Sequence, residues 1–317
     1  MTSALRTQGL AQQVARQRWR ILRRLRPSRL VLNGIIGLIA LFWMLPTISL
    51  AIISFRPAGL FNISGWWTVL TAPTQLTLKN YQDLLFSTPH SVIPTGFAAG
   101  SILDSLVTTA AITIPATVLV TAISSLAAYS LVFGRWRGRT VVFLGIVALL
   151  VVPLQVAIIP VAQLYASFKS LTGITVFGTL PGVVIFHVAF GLPFGIFLMR
   201  NFYTGIPKDL LEAGRIDGAG EWTLFRRVVI PLGLPAAASL AIFQFIWVWN
   251  DLLVGLVFLG GNAHHTLTLF LYGQTRTLAA DYWVISAGAM ISVIVPLAIF
   301  FAFQRYFVRG VLAGAVK

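Results

Sequence analysis

Acidic side chains are scarce in this sequence. Eight Asp and Glu stand against 23 Lys and Arg in 317 residues, and charged residues make up only 10 % of the chain. Soluble domains carry about 25 % charged residues, so a water-facing surface cannot be covered at this composition. Cysteine is absent, which excludes disulfides, thiolate chemistry and zinc–sulfur sites. Lysine occurs four times, and only Lys169 is followed by Ser or Thr. Phe168 precedes it, where a phosphate-binding loop requires glycine because backbone amides must cradle the phosphates. The chain is therefore not expected to bind ATP, and no cofactor or metal site is expected in it. No H-E-x-x-H or G-x-S-x-G signature is present either, so no catalytic residues are expected and the chain reads as no enzyme.

What is present is apolar. Hydrophobic residues are 57 % of the sequence and mean hydropathy is +0.88, which places the chain among integral membrane proteins of the all-α class. About 20 apolar residues cross a bilayer as a helix. Six runs reach that length, near 30–55, 102–132, 141–166, 178–200, 232–259 and 282–304. The organisation follows: a basic leader (1–29), a first span (30–55), an outer loop region (56–101), a five-helix core (102–304) enclosing a loop at 201–231, and a tail (305–317). No cleavable signal peptide is expected, because the run after the leader exceeds a signal core.

The net charge of +15 raises nucleic acid as a partner. Placement argues against it, since the basic residues sit at the ends of apolar runs. Lys/Arg bias sets membrane orientation. All but Arg56, Lys79, Lys169 and Arg276 fall in the leader, the loop at Arg135, Arg137 and Arg139, the 200–227 stretch, and the tail with Arg305, Arg309 and Lys317. Both termini are thus expected inside. The leader reads either as an amphipathic helix on anionic lipid or as a disordered anchor. Trp66 and Trp67 suit an interfacial aromatic belt.

Prolines interrupt several spans: Pro115, Pro153, Pro160, Pro181 and Pro193. Membrane helices tolerate proline through packing, and kinked helices can also surround a pathway. Small residues at 108–111 and 124–130 make the second span the expected central one.

Half the acids, Asp209, Glu212, Asp217 and Glu221, lie within 13 positions. Pro207 fits a first helical position, Asp209 and Glu212 complement that helix's dipole, and Gly218 and Gly220 end it. A second short helix is expected from Glu221 to Ile230, closed by Pro231. The first helix shows a compact face of Leu210, Leu211, Ala213 and Gly214. From charge and spacing alone, this is either a solvated loop or a knob for a groove in another protein.

EAGRIDGAGEWTLFRRVVIPLGLP (212–235) closely resembles the EAA loop of membrane subunits of binding-protein-dependent ABC importers. Glu212, Ala213, Gly214, Gly218, Ile230 and Pro231 fall on that motif, with Gly214 in place of its second alanine. QFIWVWNDLLVGLVFL (244–259), LTLKNYQDLL (76–85), PLQVAIIPVAQLY (153–165) and the ending FQRYFVRGVLAGAVK (303–317) resemble the sugar-importing branch. The second subunit of maltose permeases is similar, and α-glucoside permeases are the most alike. The resemblance implies an ABC type I importer permease fold in a bacterial inner membrane. It implies a heterodimer with a second permease subunit, an ATPase dimer that binds ATP and magnesium, and an extracytoplasmic sugar-binding protein. Leu210, Leu211, Glu212, Ala213, Gly214, Ile216, Asp217 and Gly218 would couple to the ATPase. The tail is similarly placed to touch it.

Ionisable groups inside spans default to functional hypotheses. Asp104, His187 and Asp251 are such groups; Asp104 also reads as solvated, and His187 as an interhelical donor. Gln155, Gln244, Trp247, Trp249, Asn250 and Asp251 combine stacking faces with hydrogen-bonding groups, as sugar contact requires. They equally read as interhelical packing. No Lys or Arg lies deep in a span, which favours a neutral substrate over a phosphate or carboxylate. The same architecture serving glycerol phosphate or a polyamine is the alternative. A secondary transporter would need coupling carboxylates and internal repeats, and a scaffold would need no broken spans.

Overall fold

A computed structural model describes residues 29–61, 63–86, 101–260, 264–275 and 282–315. The leader, residues 87–100 of the outer loop, Arg276 and the tail side chains from Arg305 lie outside the described residues. Among those described there is helix and no strand, and six helices are long and apolar enough to cross a membrane. The chain divides into two compact units, Met1–Ile52 and Ile53–Lys317. The first holds most of α1 (Arg29–Ser54), an apolar helix with Pro46 inside it.

The second unit contains α2 (Lys79–Phe86), α3 (Ile102–Phe133), α4 (Arg139–Leu149), α5 (Leu154–Thr172) and α6 (Leu180–Tyr203). The short α7 (Lys208–Ile216) precedes the long α8 (Glu221–Trp249). Then come α9 (Leu253–Leu259), α10 (Leu267–Thr275) and α11 (Tyr282–Ala315). Helix α3 is central: it packs along α6 and α8. Its buried positions Thr109, Ile112, Ala116, Val120, Ser124 and Ala128 recur every three or four residues, the spacing of one helix face. The facing α6 presents Gly191 and Gly195. A Cβ at Gly195 would fall on the Ser124 hydroxyl, so the two backbones meet at a distance that only glycine permits, as small residues allow in membrane bundles.

Two spans and the tail differ from the sequence reading. The run 141–166 is two helices, α4 and α5, because Pro153 cannot donate a backbone hydrogen bond and restricts the residue before it; Pro153 caps α5 instead. The run 232–259 breaks at residues 250–252. Asp251 causes this, its Oδ2 accepting from Val254 N at 2.9 Å and Gly255 N at 3.3 Å, which starts α9 as an N-cap does. The tail, expected to be separate, continues α11 as helix to Ala315.

The outer loop is more ordered than a plain connection. Arg56 is 4 % exposed and draws Leu60, Ser64 and Thr68 around itself. Its guanidinium donates to Ser64 O (2.9 Å) and Ser64 Oγ (2.6 Å), with longer bonds to Leu60 O and Thr68 Oγ1. Asn80 of α2 then donates to Ser54 O and Arg56 O.

Candidate functional site

Two regions hold the residues singled out by sequence. The first is the α7–α8 elbow. Pro207 is the N-cap of α7, one position earlier than expected. The helix closes at Gly218, whose φ of 80° lies in the left-handed region that glycine enters freely. Ala219 N donates to Gly214 O and Gly218 N to Arg215 O, the paired bonds of a Schellman ending. The expected second short helix does not stop at Pro231. A π-helical turn at Phe225–Val229, with Ile230 N donating to Phe225 O, widens the coil. It admits the proline ring that a regular α-turn would reject, so α8 runs unbroken into the bundle.

The compact face divides in two. Leu211 is 1 % exposed and joins Tyr203, Ile206, Phe225 and Val229 in a buried cluster, while Gly214 turns toward Leu224. These two residues seat α7 on its own chain. Outward stand Leu210 (47 % exposed), Ile216 (86 % exposed), Ala213, Glu212, Asp217 and Gly218. Glu212, Asp209 and Asp217 make no ion pair among the described residues.

Glu221 behaves differently from the other three acids. Its Oε1 accepts from Arg215 Nε at 2.8 Å and its Oε2 from Arg215 Nη2 at 3.2 Å. Tyr129 of α3 donates to the same carboxylate. The bonds to Glu221 hold the Arg215 guanidinium above its ordinary pKa. Tyr129 and Leu224 were missed by the sequence reading; an E-x-x-L pattern gives no sign of a partner 92 positions away.

The second region is a polar seam where α3, α6 and α8 meet. His187 Nε2 lies 3.9 Å from Asp251 Oδ2, beside a small recess lined also by Thr109, Thr113 and Thr266. Trp247 stands edge-on to His187, ring centroids 5.4 Å apart. Gln244 is 3 % exposed, and among the described residues its Nε2 has no hydrogen-bond partner; the same holds for His187 Nδ1 and for the hydroxyls of Thr113, Thr117, Thr121 and Ser124. Other expected pathway residues have structural partners. Trp249 is buried and donates its indole N–H to Ser292 O of α11 at 3.1 Å. Asn250 donates to Ile246 O at its own helix end. Gln155 is exposed on α5, and Asp104 is exposed.

The family model described as "Binding-protein-dependent transport system inner membrane component" matches residues 120–313, a stretch that includes the elbow and the seam apart from Thr109, Thr113 and Thr117. The chain belongs to this family of permeases. The osmoprotective compounds uptake permease protein GgtD of Synechocystis sp. is 45 % identical over 283 residues, 88 % of this chain and 89 % of that protein. The alpha-glucoside transport system permease protein AglG of Rhizobium meliloti is 40 % identical over 248 residues, 78 % of this chain and 62 % of that protein. The arabinooligosaccharides permease AraQ of Halalkalibacterium halodurans is 30 % identical over 279 residues, 88 % of this chain and 93 % of that protein. Among solved structures, a bacterial ABC transporter involved in importing the acidic polysaccharide alginate shares the fold. Its TM-score is 0.70 at 22 % identity, covering 88 % of this chain and 95 % of that one.

As a permease, the chain is a multi-pass inner-membrane protein with the ABC type I fold. Among the described residues, its seam is lined by hydroxyl, amide, carboxylate and imidazole groups and holds no Lys or Arg. Sequence pointed to Asp251, Gln244 and Trp247. It did not point to the α3 threonines, whose signal, a Thr or Ser every four residues at 109, 113, 117, 121 and 125, reads as ordinary small-residue packing.

Proposed function

We propose that this permease subunit works in an ATP-driven importer of a neutral sugar, an α-glucoside or other oligosaccharide. Its α7–α8 elbow would couple it to a separate ATPase on the cytoplasmic side. One observation carries this: an elbow in which Leu211, Gly214 and Glu221 serve the chain's own packing while Glu212, Leu210 and Ile216 project unpaired. Such an exposed apolar surface with acids around it calls for a partner. ATP and magnesium belong to that partner, a second permease subunit completes the pathway, and an extracytoplasmic binding protein delivers the sugar. The names of the α-glucoside and arabinooligosaccharide relatives support the sugar class, as does a seam without Lys or Arg. Coupling requires that the two ATPase states bind differently to the two permease states.

The relative named for osmoprotective compounds favours a second reading of the cargo. Reconstituting the complex with its binding protein separates the two. ATPase activity stimulated by α-glucosides supports the sugar reading, and stimulation by osmoprotective compounds alone refutes it. Failure of an ATPase to co-isolate with the chain refutes the coupling itself.

A further inference from the structure

We infer that the elbow side of the bundle carries a binding site for a phosphate group, supplied by an anionic phospholipid, at Arg139, Arg200 and Lys208. A recess of about 260 Å³ opens between α4, the end of α6 and the start of α7. Three cations line it, and among the described residues no acidic one does. Like charges repel at such range, so their convergence is unfavourable until an anion joins them. Two of the three are held in place beforehand. Arg139 donates to Gly134 O at 2.8 Å and, longer, to Val132 O. Arg200 lies over the Phe143 ring, 3.9 Å from its centroid, and Phe143 in turn stacks on Phe197. Bonding to carbonyls and rings leaves guanidinium N–H groups for a multi-oxygen anion.

The first turn of α4 adds to this. Its N-cap, Gly138, provides no side chain to satisfy the free amides, and Thr140 opens into the same recess; helix N-termini favour phosphate. The remaining walls decide the source. Val132, Phe143 and Ile206 are apolar, and the adjoining face of α4 exposes Val141 and Leu144 (73 % and 60 % exposed). A lipid sets its headgroup among the cations and its acyl chains along α4, whereas free phosphate leaves those walls unused. Basic recesses between helices on the cytoplasmic side take anionic headgroups in this way. Lys208 is the first residue of α7, so the bound lipid would hold the base of the elbow.

The test uses the assembled complex in nanodiscs. Phosphatidylglycerol binding is titrated against a phosphatidylcholine background by native mass spectrometry, for the wild type, Lys208→Gln, and Arg200→Gln combined with Lys208→Gln. Affinity is expected to fall about fivefold for each charge removed. Equal retention in all three overturns the site. Inorganic phosphate is titrated in parallel into the detergent-solubilised complex. If it binds as tightly as phosphatidylglycerol, the site belongs to a soluble anion and the lipid assignment fails. Should the double variant not assemble, Lys208→Gln, at an exposed position, decides alone.

Discussion

Leu224 occupies the space that a side chain on Gly214 would need: a Cβ there would stand 2.6 Å from Leu224 Cδ2. The motif that this stretch resembles has alanine at this position, where this permease has glycine with Leu224 packed beneath it. Gly214→Ala gains up to about 1 kcal/mol of helix propensity but overpacks a buried leucine, which typically costs about 1–3 kcal/mol. A net loss of stability is expected. Leu224→Ala alone leaves a cavity. The double variant should be more stable than the two single effects predict, by about 1 kcal/mol. Thermal melting of the four proteins in the cycle measures this, and strict additivity would show that the contact is absent.

The Arg215–Glu221–Tyr129 connection fixes the angle between α7, α8 and α3. Exposed ion pairs contribute about 0–1 kcal/mol, so Glu221→Gln and Tyr129→Phe should barely move the melting temperature. Uptake should nevertheless fall several-fold while ATPase co-isolation persists, because the elbow is present but looser. A fall in co-isolation matching the fall in uptake would assign Glu221 to the partner interface.

Glu212→Lys and Ile216→Asp alter exposed side chains, and among the described residues Glu212 makes no ion pair. Expression and melting should stay within about 0.5 kcal/mol of wild type, as surface changes usually do. Co-isolation of the ATPase should drop at least about tenfold, equivalent to about 1.4 kcal/mol of binding. Unchanged co-isolation and uptake for both would remove the proposed coupling role.

Gly195→Ala should destabilise the bundle by about 1–3 kcal/mol through overpacking, since the new methyl falls on the Ser124 hydroxyl. Ser124→Ala, which deletes a hydroxyl lacking a partner among the described residues, should restore much of the loss. Melting curves in detergent report both; no rescue by Ser124→Ala would mean the helices meet elsewhere.

Thr113→Val replaces a buried hydroxyl without a partner by an isostere. Where no bond is lost, such a change is nearly neutral or stabilising, so the melting temperature should hold or rise. A loss above about 1 kcal/mol would reveal a hydrogen bond, to water or to another group, at the seam. Read beside uptake, the same variant tells packing from passage.

The helical class and six long apolar helices were legible because periodicity and length are local properties of composition. The gathering of acids near the elbow was legible for the same reason. Its division of labour was not. Leu211 and Gly214 sit on the inward phase of α7 only because α8 folds back beneath them, and Glu221 finds Tyr129 across a long stretch of chain. The break at 250–252 was hidden by apolar residues on both sides; a hydropathy window averages over Asp251, whose carboxylate caps α9. Arg56 was read only for the side of the membrane it lies on; its burial among carbonyl and hydroxyl acceptors depends on loop shape rather than residue type.

The π-helical turn at Phe225–Val229 has a mechanical consequence. By letting Pro231 pass without a break, it makes Glu221 to Trp249 one continuous helix, about 43 Å along its axis at 1.5 Å per residue. A swing of about ten degrees at its foot, where Glu221 is tied, would carry Trp247 and the neighbourhood of Asp251 sideways by about 7 Å at that length. Small torques at one face of the membrane thus become displacements near the other, with the π-helical turn and Pro235 as the places where the helix can bend.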